Sequence, residues 1–212
     1  MPRAPREMTH NGTFHVLARG NNGQALFHDS SDFKRYLDLV LSMKSRYSFE
    51  VFHYCLMTNH IHFLMRFGDS TALTKVIQRV NLRFAKRYCG KLRYAGHVFQ
   101  DRFKTLPICD DAYLLECGRY IERNPYKAGM VKDPADYEWS SFRYYALGEA
   151  NELLSPNPCF ERLGHAPEAR RKSYAGYVRL NRPYDLMLER ELTWRWAGKA
   201  FRSRRGNRTL LI

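Results

Sequence analysis

Residues 57–66 read "MTNHIHFLMR". Side chains alternate along a strand, so Ile61, Phe63 and Met65 share one face, and His60, His62, Leu64 and Arg66 share the other. The oily side can fill a core. The histidines stand on the opposite side, the open face of a sheet. Just upstream, "FEVFHYCLM" (49–57) is rich in aromatic and branched residues and reads as a strand. Thr58 and Asn59 turn the chain between the two, which predicts a hairpin.

The flanking segments fix the rest of the fold. "TFHVLAR" (13–19) alternates, with Phe14, Val16 and Ala18 on one side and His15, Leu17 and Arg19 on the other. "GNNG" (20–23) is turn chemistry. Phe33, Tyr36, Leu37, Val40 and Leu41 recur at helical spacing, with Ser30 or Ser31 as the N-cap. A long helix over 70–88 has Leu73, Val76, Ile77, Val80 and Phe84 as its apolar stripe. Lys75, Arg79, Arg83, Lys86 and Arg87 crowd its remaining surface. "QDRFKTLPI" (100–108) predicts a fourth strand, and "DDAYLLECGRYIERN" (110–124) a helix capped by Asp110 or Asp111 and stopped by Pro125. The order β-α-β-β-α-β, then helices, is the α+β ferredoxin-like or split βαβ arrangement, which RRM-like domains share. It puts two helices on one face of an antiparallel sheet and leaves the other face for a ligand or a third helix.

Composition limits the function. The chain has 212 residues, 44% of them hydrophobic, which indicates a globular protein. Lys and Arg number 35 against 21 acids, a formal charge of +14, and an excess of this kind attracts polyanions. With 14% aromatic residues it suits single-stranded nucleic acid, where phosphates need cations and bare bases need stacking partners. The five cysteines are odd in number and form no CxxC, which fits a reducing cytoplasm and argues against a disulfide framework. No leader peptide and no membrane span is expected. The expected organisation is a basic arm over 1–12, a catalytic domain over 13–147 and a basic helical extension over 148–212.

The helix before Pro125 adds a second set of polar groups. Leu114, Cys117, Gly118 and Ile121 form its core stripe, while Tyr113, Glu116, Tyr120 and Asn124 fall on the flank beside it. Tyr120 and Asn124 are four apart and therefore neighbours. Laid on the open sheet face, that flank would bring a phenol and an amide oxygen to the His pair. Spacing alone favours a pair of half-exposed histidines bonded to their neighbours, and does not choose Tyr120 over Tyr113.

"LMTNHIHFLMR", then "RYIERNPYKAGMV" and "DYEWSSFRYY", resemble the single-tyrosine His-hydrophobic-His transposases of the IS200-like family, and within them the REP-associated tyrosine transposases. "FHVLARGNNGQALF" and "GHVFQDRFKT" are similar to that family too, so the likeness runs from about residue 13 to 147. Thr58 departs from it, since the loop often carries Pro there. The resemblance implies that His60 and His62 bind a divalent metal, Mg or Mn, with Asn124 as a further polar ligand. It implies Tyr120 as the nucleophile, a covalent 5′-phosphotyrosine, and single-stranded or hairpin DNA as substrate. It implies a bacterial cytoplasmic enzyme at the nucleoid, acting as a monomer or homodimer. DNA contacts are expected from His15, Arg19, Arg102 and Lys104 near the open face, and from Arg79, Arg83, Lys86 and Arg87 on the long helix. Two other readings are a non-catalytic RRM-like binder of single strands and a metal-dependent phosphodiesterase that uses water.

Overall fold

The computed structural model describes residues 12–182, with the side chain of Ser70 excepted. The expected N-terminal arm, apart from Gly12, and the basic C-terminal tail lie outside the described residues. The chain divides into two compact units, Met1–Arg179 and Leu180–Ile212, and the description below concerns the first. That unit runs past residue 148 and includes helices from the expected extension.

Four strands, β1 (Gly12–Arg19), β2 (Phe49–Met57), β3 (His60–Phe67) and β4 (Lys104–Ile108), form an antiparallel sheet in the order β2-β3-β1-β4. Helices α1 (Ser30–Lys44) and α2 (Ser70–Leu92) cover one face. Helix α3 (Asp111–Lys127) lies on the other, against β2 and β3, and α4 (Phe142–Leu147) and α5 (Pro167–Arg179) pack beside it. This is the expected ferredoxin-like arrangement with a C-terminal helix on the open face. Among the described residues no helix is long and apolar enough to cross a membrane.

The period-2 pattern makes the core. Phe14, Val16, Ile61, Phe63 and Met65 from the sheet meet Tyr36 and Val40 of α1 and Val76, Val80 and Phe84 of α2 in one cluster. The Tyr36 phenol would be costly to bury alone; it donates to Asn81 Oδ1 at 2.7 Å. Capping follows the carboxylates. Asp29, not Ser30 or Ser31, caps α1, accepting from the backbone N–H of Ser31 at 2.9 Å and of Asp32 at 3.3 Å. Asp110 caps α3, accepting from Tyr113 N–H at 2.7 Å. The fourth strand is shorter than expected and begins at Lys104.

Two departures shape the site. β2 carries a bulge between Val51 and His53. Without the extra residue His53 would follow Val51 into the core; with it, His53 turns to the open face opposite Leu64. Second, α3 is not stopped by Pro125 but continues to Lys127. Proline lacks the N–H that would bond Ile121 O one turn back. Asn124 Nδ2 supplies a substitute, reaching Tyr120 O at 2.8 Å and Ile121 O at 3.3 Å.

Candidate active site

The site begins with strand register. β3 lies between β1 and β2, with His62 opposite Leu17 and Cys55, and His60 opposite Arg19 and Met57. All of these side chains stand on the open face, as does Lys104, which lies opposite Leu17 on the other side of β1. The imidazoles of His60 and His62 have centroids 4.9 Å apart.

A third histidine completes the group. His15 Nε2 lies 2.9 Å from His62 Nδ1, and the two rings stack at 5.2 Å. His15, expected at the DNA, is placed inside this group and away from the surface. It is fully buried, and what it touches is the other histidine.

Burial sets the charge state of all three. It lowers His15 from the ordinary histidine value to about 3. It lowers His60 to about 4, with help from the Arg19 charge. It holds His62 well below the usual range, reinforced by His60 and His15. The imidazoles are therefore neutral at pH 7, the form in which histidine donates a lone pair to a metal.

α3 brings the tyrosine. The Tyr120 ring lies edge-on to both imidazoles, 6.2 Å from His15 and 6.0 Å from His62. Its solvent exposure is 5%, so the phenol sits in the group rather than at the rim. Lys127, two turns along α3, places its ammonium 5.5 Å from the Tyr120 ring centroid. Asn124 is on the same flank, its Nδ2 held by the helix carbonyls, which leaves Oδ1 as the outward atom. Tyr113 lies nearly two turns earlier, in the first turn of α3. Sequence reasoning missed the buried role of His15 and the contact of Lys127; the basic residue three after Asn124 was the available signal for the second.

The atoms present fit a metal. His62 Nε2 is buried and has no hydrogen-bond partner. His60 Nδ1 is 2.7 Å from Asn59 Oδ1, and Asn59 Nδ2 donates to Gly23 O at 3.1 Å. An amide oxygen only accepts, so His60 carries its proton on Nδ1 and offers a lone pair at Nε2. Among the described residues no group of three or more His, Cys, Asp or Glu is disposed to hold a metal ion. Such a site would thus rest on two imidazoles and oxygens from Asn124 and the substrate.

The basic residues split between the two faces. Arg19 and Lys104 flank the histidines. Arg102 is exposed in the bend before β4. Arg83, Lys86 and Arg87 are exposed on α2, and Arg79 is half-buried and bonded to the Tyr47 hydroxyl. Because α2 packs on the core face, these four lie across the sheet from Tyr120.

The chain is similar to a Haemophilus influenzae protein named "Putative REP-associated tyrosine transposase", 32% identical over 108 residues. That match covers 45% of this chain and 60% of the relative's length. Among solved structures it is similar to a REP-associated tyrosine transposase bound to a REP hairpin, with a TM-score of 0.60 and 19% identity. That similarity covers 73% of this chain and 92% of the other, and supports the fold. The profile described as "Transposase IS200 like" matches residues 8–124, more than half of the sequence and every residue of the His60–His62–Tyr120–Asn124 set, and the chain therefore belongs to the IS200-like transposase family.

Proposed function

We propose that this protein nicks and rejoins single-stranded DNA at hairpins through a covalent bond to Tyr120. The carrying observation is the edge-on placement of the Tyr120 ring against His15 and His62. A phenol held there is next to the nitrogens best suited to a divalent ion. The names of the relatives support hairpins of the REP type as the substrate.

In the reaction, Tyr120 Oη attacks the scissile phosphorus and the bond to the upstream 3′-oxygen breaks. The phenol gives up its proton to solvent as the new bond forms, the departing oxygen takes one up to become a 3′-hydroxyl, and the downstream strand stays attached as a 5′-phosphotyrosine. The phosphoester bond energy is kept, so a second 3′-hydroxyl can reverse the step and rejoin the strand. His60, His62 and Asn124 would hold Mg or Mn, which supplies Lewis-acid polarisation of the phosphoryl oxygen. The chain's own residues orient the phenol, bury it away from bulk water, and place the Lys127 and Arg19 charges where negative charge develops.

The protein would act as a monomer or a homodimer. The catalytic domain is taken as 13–147, with residues between 148 and 179 bracing it through Asn157 and Tyr174. The protein would act in the bacterial cytoplasm, at the nucleoid.

The test is to incubate the protein with a 3′-labelled hairpin from repeats flanking its gene, with Mn²⁺ or Mg²⁺, and digest the product. A labelled peptide containing Tyr120 is expected. Cleavage with no labelled peptide would indicate water as the nucleophile, and binding without cleavage would favour the RRM-like binding reading.

A further inference from the structure

On the flank of α3 away from the histidine group, a second set of polar side chains is wholly buried and takes no part in the chemistry above. Glu122, His53, Ser141, Tyr174 and Asn157 are each 0% exposed. Glu122 is the hub. His53 Nδ1 lies 2.8 Å from its Oε1, Ser141 Oγ donates to the same oxygen at 2.5 Å, and Tyr174 Oη donates to Oε2 at 2.8 Å. Asn157 Nδ2 donates to His53 Nε2 at 2.9 Å and closes the far side of the ring. The donors come from β2, the start of α4, α5 and the loop before it. One carboxylate thus ties α3 directly to three other segments, and through His53 to a fourth.

We propose that Glu122, His53 and Tyr174 are positioning residues: they fix how α3 is rolled on the sheet, and so aim Tyr120 at the His60–His62 pair. This rests on the reading of Tyr120 as the nucleophile. Buried ionic hubs are poor devices for stability, because desolvation offsets much of what their bonds return. What directional bonds add is orientation, which apolar contact allows to slide. Glu122 is two residues past Tyr120, about 200° round the helix, so the two side chains leave opposite flanks. Cys117 and Ile121, both 0% exposed, lie between them on the buried side. A helix seated only on such residues could roll. A roll of about 20° moves a tip about 6 Å from the axis by about 2 Å, and misplacement of about 1 Å at a reacting group can cost about 100-fold in rate.

Gly118 and the bulge are part of the same device. Gly118 lies one turn before Glu122, on the same flank. A Cβ there would stand 2.6 Å from His53 Nε2, so the glycine lets α3 settle onto an imidazole already clamped by Glu122 and Asn157. His53 reaches α3 at all because the β2 bulge turns it to this face.

The test compares Glu122→Gln and the milder Tyr174→Phe with wild type. Val40→Ala, in the distant core under α1, serves as a control for reduced stability. The expected result is a 10- to 100-fold slower single-turnover adduct formation at saturating hairpin, with hairpin Kd changed less than twofold. Val40→Ala should lower the melting temperature at least as much and leave that rate unchanged. A second readout needs neither DNA nor metal: the ¹⁹F resonance of 3-fluorotyrosine at Tyr120, assigned by its disappearance in Tyr120→Phe. It should shift or broaden in both hub variants and stay put in the control. An unmoved resonance in Tyr174→Phe and Glu122→Gln, or equal rate losses in the control, would overturn the proposal. A wild type that forms no adduct while the resonance moves in the hub variants would refute the transferase reading and leave the brace standing.

Discussion

Two imidazoles become metal ligands only if their lone pairs are free and point to one place, and in the proposed site neighbouring atoms would hold them so. Asn59 Oδ1 accepts a hydrogen bond from His60 Nδ1–H, and the bond from Asn59 Nδ2 to Gly23 O fixes which way its amide faces. His62 Nδ1 meets His15 Nε2, and a proton on the His62 side leaves His62 Nε2 basic. Removing an outer partner of this kind typically costs about 10- to 100-fold in metal affinity. Asn59→Ala should therefore weaken Mn²⁺ binding by about that factor in an EPR titration, with folding retained. Unchanged affinity would mean that His60 is not held for a metal. The HxH spacing and its face were legible from alternation alone, and Asn59 stands beside them in sequence. The role of His15 was not legible, because it depends on the pairing of β1 with a strand some forty residues away.

At the scale of the element, α3 does the most. Its N-cap was readable from Asp110, but its C-terminus was not, because proline normally ends a helix. Asn124 explains the exception by giving Ile121 O a donor in place of the missing backbone N–H. Asn124→Ala should lower stability by about 1 kcal/mol, a typical hydrogen-bond contribution. In a protein of this size that is a melting shift of about 2–4 °C, measured without metal. No shift would leave the passage through Pro125 without its explanation. Asp110→Ala should cost about 1 kcal/mol by removing the cap while leaving the adduct rate at saturating DNA unchanged. A slowed chemical step in that variant would mean that the first turn of α3 also takes part in aiming Tyr120. The β2 bulge was invisible in sequence: "FEVFHYCLM" gives no glycine or other local sign that the strand changes parity at Phe52.

Among the described residues, the exposed cations of α2 and the proposed chemistry occupy different faces of the sheet. α2 has no acidic residue in its 23 positions, and its exposed cations lie across the sheet from the tyrosine. They can add to binding without touching the scissile phosphate. Changing Arg83, Lys86 and Arg87 together to Gln should weaken hairpin binding and flatten its salt dependence. The slope of log K against log salt falls by about 0.7–0.9 for each phosphate that the protein no longer neutralises. The adduct rate at saturation should hold, the mark of uniform binding. A lower saturated rate would place α2 at the reacting strand. Sheet order and helix faces were readable because both periodicities are clean. The brace from His53 to Tyr174 was not, since it joins residues more than a hundred positions apart.

The most direct test is an end-labelled hairpin assay with Mn²⁺ or Mg²⁺, resolved on a denaturing gel, with wild type and Tyr120→Phe side by side. The account predicts a metal-dependent protein–DNA adduct in the wild type and none in the variant, with hairpin binding preserved in both. Cleavage by both proteins without an adduct would contradict it.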